Sequence, residues 1–500
     1  MLPLIVRRLV PCLIFPLAAA AQLPVFDPSF APNPNGSLNA AVVQPDGKLV
    51  IIGSFSQVAG AARTNIARLN ADGSVDLTFT PSVSASLQGL ALAPDGKILV
   101  GGFFSTFNGQ PRNRLVRLNA DGTTDSTFNP SITGNAVRAF LVLPDGRIVI
   151  GGDFTNVSGQ SRTGLARLNA DGTLDASFVG DTSGSTTPTA SAGVFVLARQ
   201  LDGRLLVGGQ FASVNGQSRR ALARLSAEGV LDAAFDPVGS GSPSIQALTV
   251  QRDGRFLVGG SFSAMSGQSR TYLARFLPDG SLDGSFSPSI GSTVFAASEQ
   301  SDGKILIGGL FTSLFGSPRS YFARLNANGT VDSAFTHDAA GTTISTGPGV
   351  QFIIESADGR IVFGGSFTSA SGIARSNLAR LTAAAPGFPS AATAATATAG
   401  QPYTLSVVIT GTPSTYQWRR NGVAIPGATA STYTIAQVQT SDAGVYDLVA
   451  TNSLGSATSA PITLGVAFPP QIVTAPTSAI AIAGSSSAAF SVTATGTPTL

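Results

Sequence analysis

One motif recurs seven times along this chain and leaves few folds open to it. Each copy begins with an Asp-Gly-Lys/Arg turn, whose Asp is Asp46, Asp95, Asp145, Asp202, Asp253, Asp302 and Asp358. An apolar run and Gly-x-Phe follow, ending on Phe55, Phe104, Phe154, Phe211, Phe262, Phe311 and Phe367. Two arginines five residues apart come next: Arg63/Arg68, Arg112/Arg117, Arg162/Arg167, Arg219/Arg224, Arg270/Arg275, Arg319/Arg324 and Arg375/Arg380. A second turn, as in Asn70-Ala71-Asp72-Gly73, leads to Asp-x-x-Phe, as in Asp76 to Phe79.

Each unit reads as four strands, in the first copy Asn39–Gln44, Lys48–Phe55, Asn65–Asn70 and Ser74–Phe79. Asp-Gly turns make the hairpins. Four antiparallel strands in about 50 residues is the size of a propeller blade. The seventh copy stops after Leu381, without its second turn or its Asp-x-x-Phe. That element stands instead at the other end, as Asp27-Pro28-Ser29-Phe30. Pairing it into the last blade closes a ring and removes an open edge. The expected fold is therefore all-β: a seven-bladed β-propeller closed by an N-terminal strand, followed by an immunoglobulin-like β-sandwich.

The motifs resemble the bacterial delta-60 repeats, whose units carry the same D-G-K/R, G-G-x-F and R-L-N-x-D-G-x-x-D-x-S-F pattern. The resemblance covers roughly residues 24 to 382. It implies a propeller-like fold in secreted or surface proteins and brings no catalytic residues to carry over.

After Ala384 the composition shifts to Ala, Thr, Ser and Pro, a short linker. The next segment is similar to immunoglobulin-like (I-set-like) domains. Trp418 lies eleven residues after Val407, and Asp442-Ala443-Gly444-Val445-Tyr446 matches the tyrosine corner. Val407 and Leu448 stand where such domains often carry a disulfide, so the resemblance is to disulfide-free members. Losing the bridge costs about 2–5 kcal/mol. Two buried aliphatic side chains, at roughly 1.5–3 kcal/mol each, offset much of that. From Pro469 a second such domain starts, since Thr495-Gly496-Thr497-Pro498 matches Thr410-Gly411-Thr412-Pro413. The Trp due shortly after is not reached, which suggests a fragment of a longer protein. The expected domains are a signal peptide (1–21), the propeller (22–383), an immunoglobulin-like domain (384–467) and an incomplete second one (468–500).

The signal peptide is read from Arg7 and Arg8, the apolar Leu9 to Leu17, and Ala18 to Ala21 before Gln22. The single cysteine, Cys12, lies inside it and follows Pro11, where a lipid-anchored precursor needs a small residue. A mature chain without cysteine, exported to an oxidising compartment, must be held by packing alone. The apolar stretch is too short for a permanent span, and no later segment is long and apolar enough to cross a membrane as a helix. The expected location is secreted or cell-surface. Although the pI is near 9.2, only 11% of residues are charged and no Lys/Arg run occurs. Nucleic-acid binding needs a concentrated basic stripe, so no nucleic acid is expected.

Two arginines in each of seven copies account for fourteen of the chain's 30 Lys and Arg. A catalytic constellation breaks symmetry, so rings of Arg, Asp and Phe repeated in every blade are structural. The second turn has oxygens spaced loosely like a calcium loop. Ser226, Glu228 and Leu277 break that pattern, so no metal and no cofactor is expected. No catalytic residue is assigned, because the mature chain has no Cys and one His, His337.

Symmetry-breaking residues are the candidates for binding. Three residues before the first turn, four copies carry Val43, Leu92, Val142 and Val250, while the others carry Arg199, Glu299 and Glu355. These positions fall on innermost strands near one mouth of the central channel. Two long blade-to-blade connections, Val179 to Ala192 and Thr336 to Gly349, hold Asp181, His337 and Asp338 and are expected to frame any binding site. His337 also has a plainer reading, as a solvated loop residue. The functional expectation is a secreted or surface binding and adhesion protein, with an extracellular protein or carbohydrate as ligand. The alternative is an extracellular propeller enzyme acting on glycans through acids at the channel mouth.

Overall fold

A computed structural model describes residues 24–83, 85–185, 193–237, 242–341, 349–356, 359–382, 386–388, 391–409, 415–452, 455–468, 471–476 and 491–495. Residues 1–21, expected to be a signal peptide, Asp358, Ala384 and the Thr-Gly-Thr-Pro segment at 410–413 lie outside them, as does most of its counterpart at 495–498. The chain divides into two compact units, one spanning Pro24–Ala383 and the other containing Ala384–Leu500.

The first unit is a ring of seven antiparallel sheets. Blade one pairs Ser37–Val43 with Leu49–Ser54, and that strand with Ile66–Leu69. The pattern recurs through blade seven, where Gly349–Glu355, Ile361–Ser366 and Leu378–Leu381 pair in the same order. Middle strands are buried on both faces and read as apolar runs such as Leu49-Val50-Ile51-Ile52. The innermost strand of each blade packs against the next, and Gly349–Glu355 packs against Ser37–Val43, which completes the circle. Between blades seven and one a single apolar cluster joins Phe352, Val362 and Leu378 to Phe30, Leu38 and Ile51.

The N-terminal segment supplies the closure. The Asp27 amide donates to the Arg380 carbonyl at 2.9 Å, and the Thr382 amide donates to the Val25 carbonyl at 2.7 Å. Phe26 and Leu381 form the bridge between them. Asn377 and Arg375 add side-chain bonds to the carbonyls of Pro34 and Pro28.

The fourth strand of each blade is shorter than expected. In blade one it is a single bridge, Leu69 to Val75, after which the chain turns. The cause is Asp76: its Oδ1 accepts the Thr78 amide at 2.9 Å and the Thr78 hydroxyl at 2.6 Å. This Asx turn competes with the ladder and curls the backbone. A small hairpin that the strand reading lacked stands between the second and third strands, Gln57–Val58 with Ala61–Ala62 in blade one. Its turn puts Ala59 at φ 48° and Gly60 at φ 78°, a type I′ geometry.

Polar contacts repeat with the blades. Asp76 Oδ2 accepts Lys48 Nζ at 2.8 Å and Arg68 Nε at 2.9 Å. The Arg68 guanidinium lies 4.5 Å from the Phe79 ring centroid. Arg68 also donates to the Ala120 carbonyl in the second turn of the next blade. Arg117, Arg167, Arg224 and Arg275 bond the next blade's turn in the same way, and Arg380 reaches Ala71 of blade one. For Arg324 no such carbonyl is found among the described residues, which leave out 383–385. Among the described residues, six of the seven arginines thus staple their blade to its neighbour.

In the second unit, Thr393–Thr398, Ile462–Ala467, Gly444–Asn452, Thr415–Arg420 and Val423–Ala424 form one sheet in that order, with Gly455–Thr458 also paired to Gly444–Asn452. Tyr403–Ser406 pairs with Thr432–Ile435 in a second sheet. Trp418 is fully buried, sits across from Leu448, and donates its indole N–H to the Ala430 carbonyl at 3.1 Å. Leu405 and Ile409 are buried beside half-buried Val407, on the same apolar core. The Tyr446 hydroxyl donates to the Asp442 carbonyl at 2.8 Å, which is the tyrosine corner. Further along, Gln471–Thr474 pairs with Thr493–Thr495.

Candidate functional site: the two mouths of the propeller channel

Every innermost strand carries a one-residue register step, and that of blade three has two further shifts upstream of it. In blade one the register steps from Leu38 to Ala40, leaving Asn39 unpaired, and the same step recurs in the other blades. Such a bulge bends the strand and re-aims the extra side chain. The middle strand accommodates it with a glycine, Gly53 in blade one and the second glycine of a Gly-Gly pair in the others. At Gly209 a Cβ would lie far inside van der Waals contact with the Gly193 carbonyl oxygen, so only glycine fits against the bulged strand.

The extra residues are Asn39, Gln88, Arg138, Phe195, Gln246, Phe295 and Gln351. Together with Gln210 they line a cavity of about 370 Å³ at the end of the channel where the innermost strands begin. Arg138 is held on all sides. Its Nε and Nη2 donate to the Asp153 carboxylate at 3.2 and 3.1 Å, and its Nη1 donates to Gln88 Oε1 at 3.2 Å. Its guanidinium lies 5.3 Å from the Phe103 ring and 5.5 Å from the Phe195 ring. Gln88 and Gln246 rest on Ser86 and Ser244 through their amide nitrogens, at 3.1 and 2.8 Å. Among the described residues, the side-chain amides of Gln210 and Gln351 have no partner. Sequence reasoning missed this ring, since the bulge falls inside an apolar run; the signal available was a polar or aromatic residue at one fixed place in each copy.

At the other end, the innermost strands terminate on Val43, Leu92, Val142, Arg199, Val250, Glu299 and Glu355. The carboxylates among them are engaged separately. Glu299 accepts Gln251 Nε2 at 2.9 Å and the Arg252 amide at 2.8 Å, both from the preceding blade. Glu355 lines a cavity of about 700 Å³ between blades seven and one, with Val43, Leu92, Ile354 and Arg360; Glu299 is not part of that lining. Burial pushes the Glu355 carboxyl up to about 7, against the pull of Arg252 and with a further push from Asp302. Arg199 is exposed at its strand end. No group of three or more His, Cys, Asp or Glu placed to hold a metal ion occurs among the described residues.

The loop candidates sit in local structure. The Asp181 carboxylate accepts the Thr163 amide at 2.8 Å, and Thr182–Ser183 adds a strand to the small hairpin of blade four. Ala339–Ala340 does the same in blade seven, where the Asp338 carbonyl accepts the Ser371 amide. His337 is half-buried rather than solvated. Its Nδ1 lies 2.9 Å from the Ser371 hydroxyl, its Nε2 2.6 Å from the Pro24 carbonyl, and its ring meets Phe335 edge-on. Burial holds its pKa below the usual value. His337 thus clasps the N-terminal segment. The middles of the two long connections, 186–192 and 342–348, lie outside the described residues.

No helix among the described residues is long and apolar enough to cross a membrane. No curated protein matches the chain. Among solved structures, it is similar to Sidekick-1 immunoglobulin domains 1–4, at 25% identity over 31% of this chain and 46% of that one, with a TM-score of 0.17. It therefore spans less than half the length of that structure. The N-terminal Ig1-2 module of the Drosophila receptor protein tyrosine phosphatase DLAR matches at 17% identity, over 36% of this chain and 98% of that one, with a TM-score of 0.15. The N-terminal four Ig domains of Dscam1 isoform 6.44 match at 13% identity, over 89% and 100%, with a TM-score of 0.16. Scores this low carry no argument. The family models do: residues 44–79, 93–128, 143–178, 200–235, 251–286, 300–335 and 356–384 match a family described as a domain of unknown function (DUF5122) beta-propeller. Residues 386–466 match the immunoglobulin I-set domain. Seven matched segments on seven blades, and an I-set match on the tyrosine-corner unit, mean that this chain belongs to the DUF5122 beta-propeller family and carries an immunoglobulin I-set domain after the propeller.

Proposed function

We propose that this protein is a secreted or cell-surface binding protein, with the propeller as interaction scaffold and the I-set domain as a spacer or adhesion module. The observation that carries this reading is the channel mouth lined by the seven bulge residues. Positions that hold the fold repeat in every blade, whereas the mouth combines amides, one ion-paired arginine and phenyl rings. It offers hydrogen bonds and apolar faces, the recognition chemistry of a ligand pocket. No nucleophile or free acid–base pair stands with them in the lining.

The enzymatic alternative rests on Glu355, a carboxyl raised toward neutrality as a general acid requires. Glycan hydrolysis needs a second carboxylate across the scissile bond. Glu299 is bound to Gln251 and Arg252 instead of facing Glu355 across the cavity. The test is a glycan array and an array of extracellular proteins probed with the full chain, alongside a hydrolase screen. Retention of a ligand without turnover is expected. Turnover that disappears in Glu355→Gln would overturn the reading in favour of the enzyme.

A further inference from the structure

The mouth also specifies a class of ligand, an inference that rests on the binding reading above. We propose that the ring of Asn39, Gln88, Arg138, Phe195, Gln246, Phe295 and Gln351, with Gln210, binds the end of a neutral glycan.

Charge is the first argument. The one cation of the lining, Arg138, is matched by Asp153 through two hydrogen bonds and covered by two phenyl rings. A charged ligand would find no free counter-charge in the lining and would lose its hydration without return. Donor and acceptor balance is the second. A carboxamide offers N–H donors and a carbonyl acceptor side by side, which complements adjacent sugar hydroxyls, each both donor and acceptor. The Gln210 and Gln351 amides, without side-chain partners among the described residues, are available for this without breaking a bond. Third, Phe195 and Phe295 supply apolar faces for the C–H side of a pyranose ring within the same cavity. The cavity, about 370 Å³, falls at the small end of the range for ligand sites, roughly 300–1,000 Å³. That suits one or two sugar residues entering end-on and leaves the rest of a chain in solvent.

The bulge makes the site possible. It gives every blade one side chain that the ladder does not use, aimed at the axis, so seven short strands converge seven such groups on one ligand. Because each position can vary without touching a blade core, the chemistry of the mouth is separable from the stability of the ring.

The test is calorimetric titration of the full chain with maltotetraose, cellotetraose, xylotetraose and mannotetraose. An acidic oligogalacturonate and the protein array above serve as comparators. Saturable binding of at least one neutral tetrasaccharide is expected, weakened about tenfold or more by Phe195→Ala and by Gln351→Ala. Leu201→Ala, on an exposed turn at the far end of the propeller, should leave it unchanged. Gln351→Ala decides if Phe195→Ala lowers the melting temperature, since the Gln351 amide supports nothing else. Neutral-glycan binding untouched by both variants would overturn the placement. Binding only of the oligogalacturonate or of a protein, lost in the same variants, would overturn the ligand class and leave the binding reading standing. Silence on every array would remove both.

Discussion

Arg380 and Asp27, 353 residues apart, are joined by two hydrogen bonds, with Nε and Nη2 of the guanidinium donating to Oδ2 at 2.9 and 2.7 Å. The pair reproduces Arg68 with Asp76 in blade one, down to the phenyl ring beneath the guanidinium, here Phe30 at 4.1 Å. The N-terminal segment thus supplies the seventh blade with the part that its own repeat lacks.

Asp27→Ala should therefore weaken the ring at its seam. It leaves the Arg380 guanidinium buried without its counter-charge, which costs about 3–5 kcal/mol for a pair of this kind. The urea midpoint should fall accordingly, and deletion of residues 22 to 31 should lower the melting temperature further. An unchanged midpoint in Asp27→Ala would mean that the seam contributes nothing to stability.

Gly209→Ala tests the bulge. The new Cβ would press on the Gly193 carbonyl, so the innermost strand of blade four must shift and Phe195 with it. A large loss of stability is expected, in the range of about 1–3 kcal/mol typical of overpacking. Gly284→Ala is the comparison, because a Cβ there meets nothing and its backbone is unstrained. Equal melting temperatures for the two variants would show that the bulge does not need its glycine.

Tyr446→Phe removes one hydrogen bond, the 2.8 Å contact to the Asp442 carbonyl, and leaves the buried ring in place. The expected cost is about 0.5–1.5 kcal/mol in chemical denaturation of the I-set unit. A neutral result would mean that water replaces the Tyr446 hydroxyl as donor to the Asp442 carbonyl without loss.

The ring was legible because its determinants are periodic. Asp, Phe and Arg at fixed offsets gave blade number, strand order and the permuted closure, and their recurrence in every copy marked them as structural. What stayed hidden was local and polar. The Asx turn at Asp76 consumes the fourth strand, though Asp-x-Thr reads equally as strand. The small hairpin is announced in two copies by Asn108-Gly109 and Asn215-Gly216, but in blade one by Ala59-Gly60, where nothing in the side chain asks for φ above zero. The mouth was illegible for a different reason. Its residues share a place but no chemistry, and only the one-residue slip of the bulge turns Asn39 or Gln351 from the ladder to the axis. Glu299 and Glu355 were correctly placed at strand ends, whereas their separate engagement depends on Gln251 and Arg252 of a neighbouring blade.

The pH dependence of stability follows from two opposed sets of carboxyls. In Asp27, Asp76, Asp125, Asp175, Asp232, Asp283 and Asp332, burial raises the pKa. Hydrogen bonds and charge from the neighbouring Arg, Lys, Ser or Thr outweigh it, and each ends below the ordinary value of 3.8. A depressed carboxyl stabilises the fold fully above its unfolded pKa, and that stability is lost as pH falls through the folded one. Glu355 acts in reverse. Burial lifts it from 4.5 to about 7, so the unfolded chain releases its proton first and stability declines as pH rises across that window. Asp302 is raised for the same reason. At about 1.36 kcal/mol per pH unit, Glu355 alone accounts for roughly 3 kcal/mol at most. The urea midpoint should therefore drop steeply on the acid side of pH ~4.5, while Glu355 draws it down between pH ~4.5 and ~7 against an opposing rise from the depressed His337 below pH ~6.5. Glu355→Gln cannot ionise, so it should flatten most of the decline between pH ~5 and ~7, leave the acid limb unchanged, and exceed the parent in stability at pH ~8. If the variant keeps the parent's slope on the neutral side, Glu355 is ionised in the folded ring and the cavity between blades seven and one is open to water.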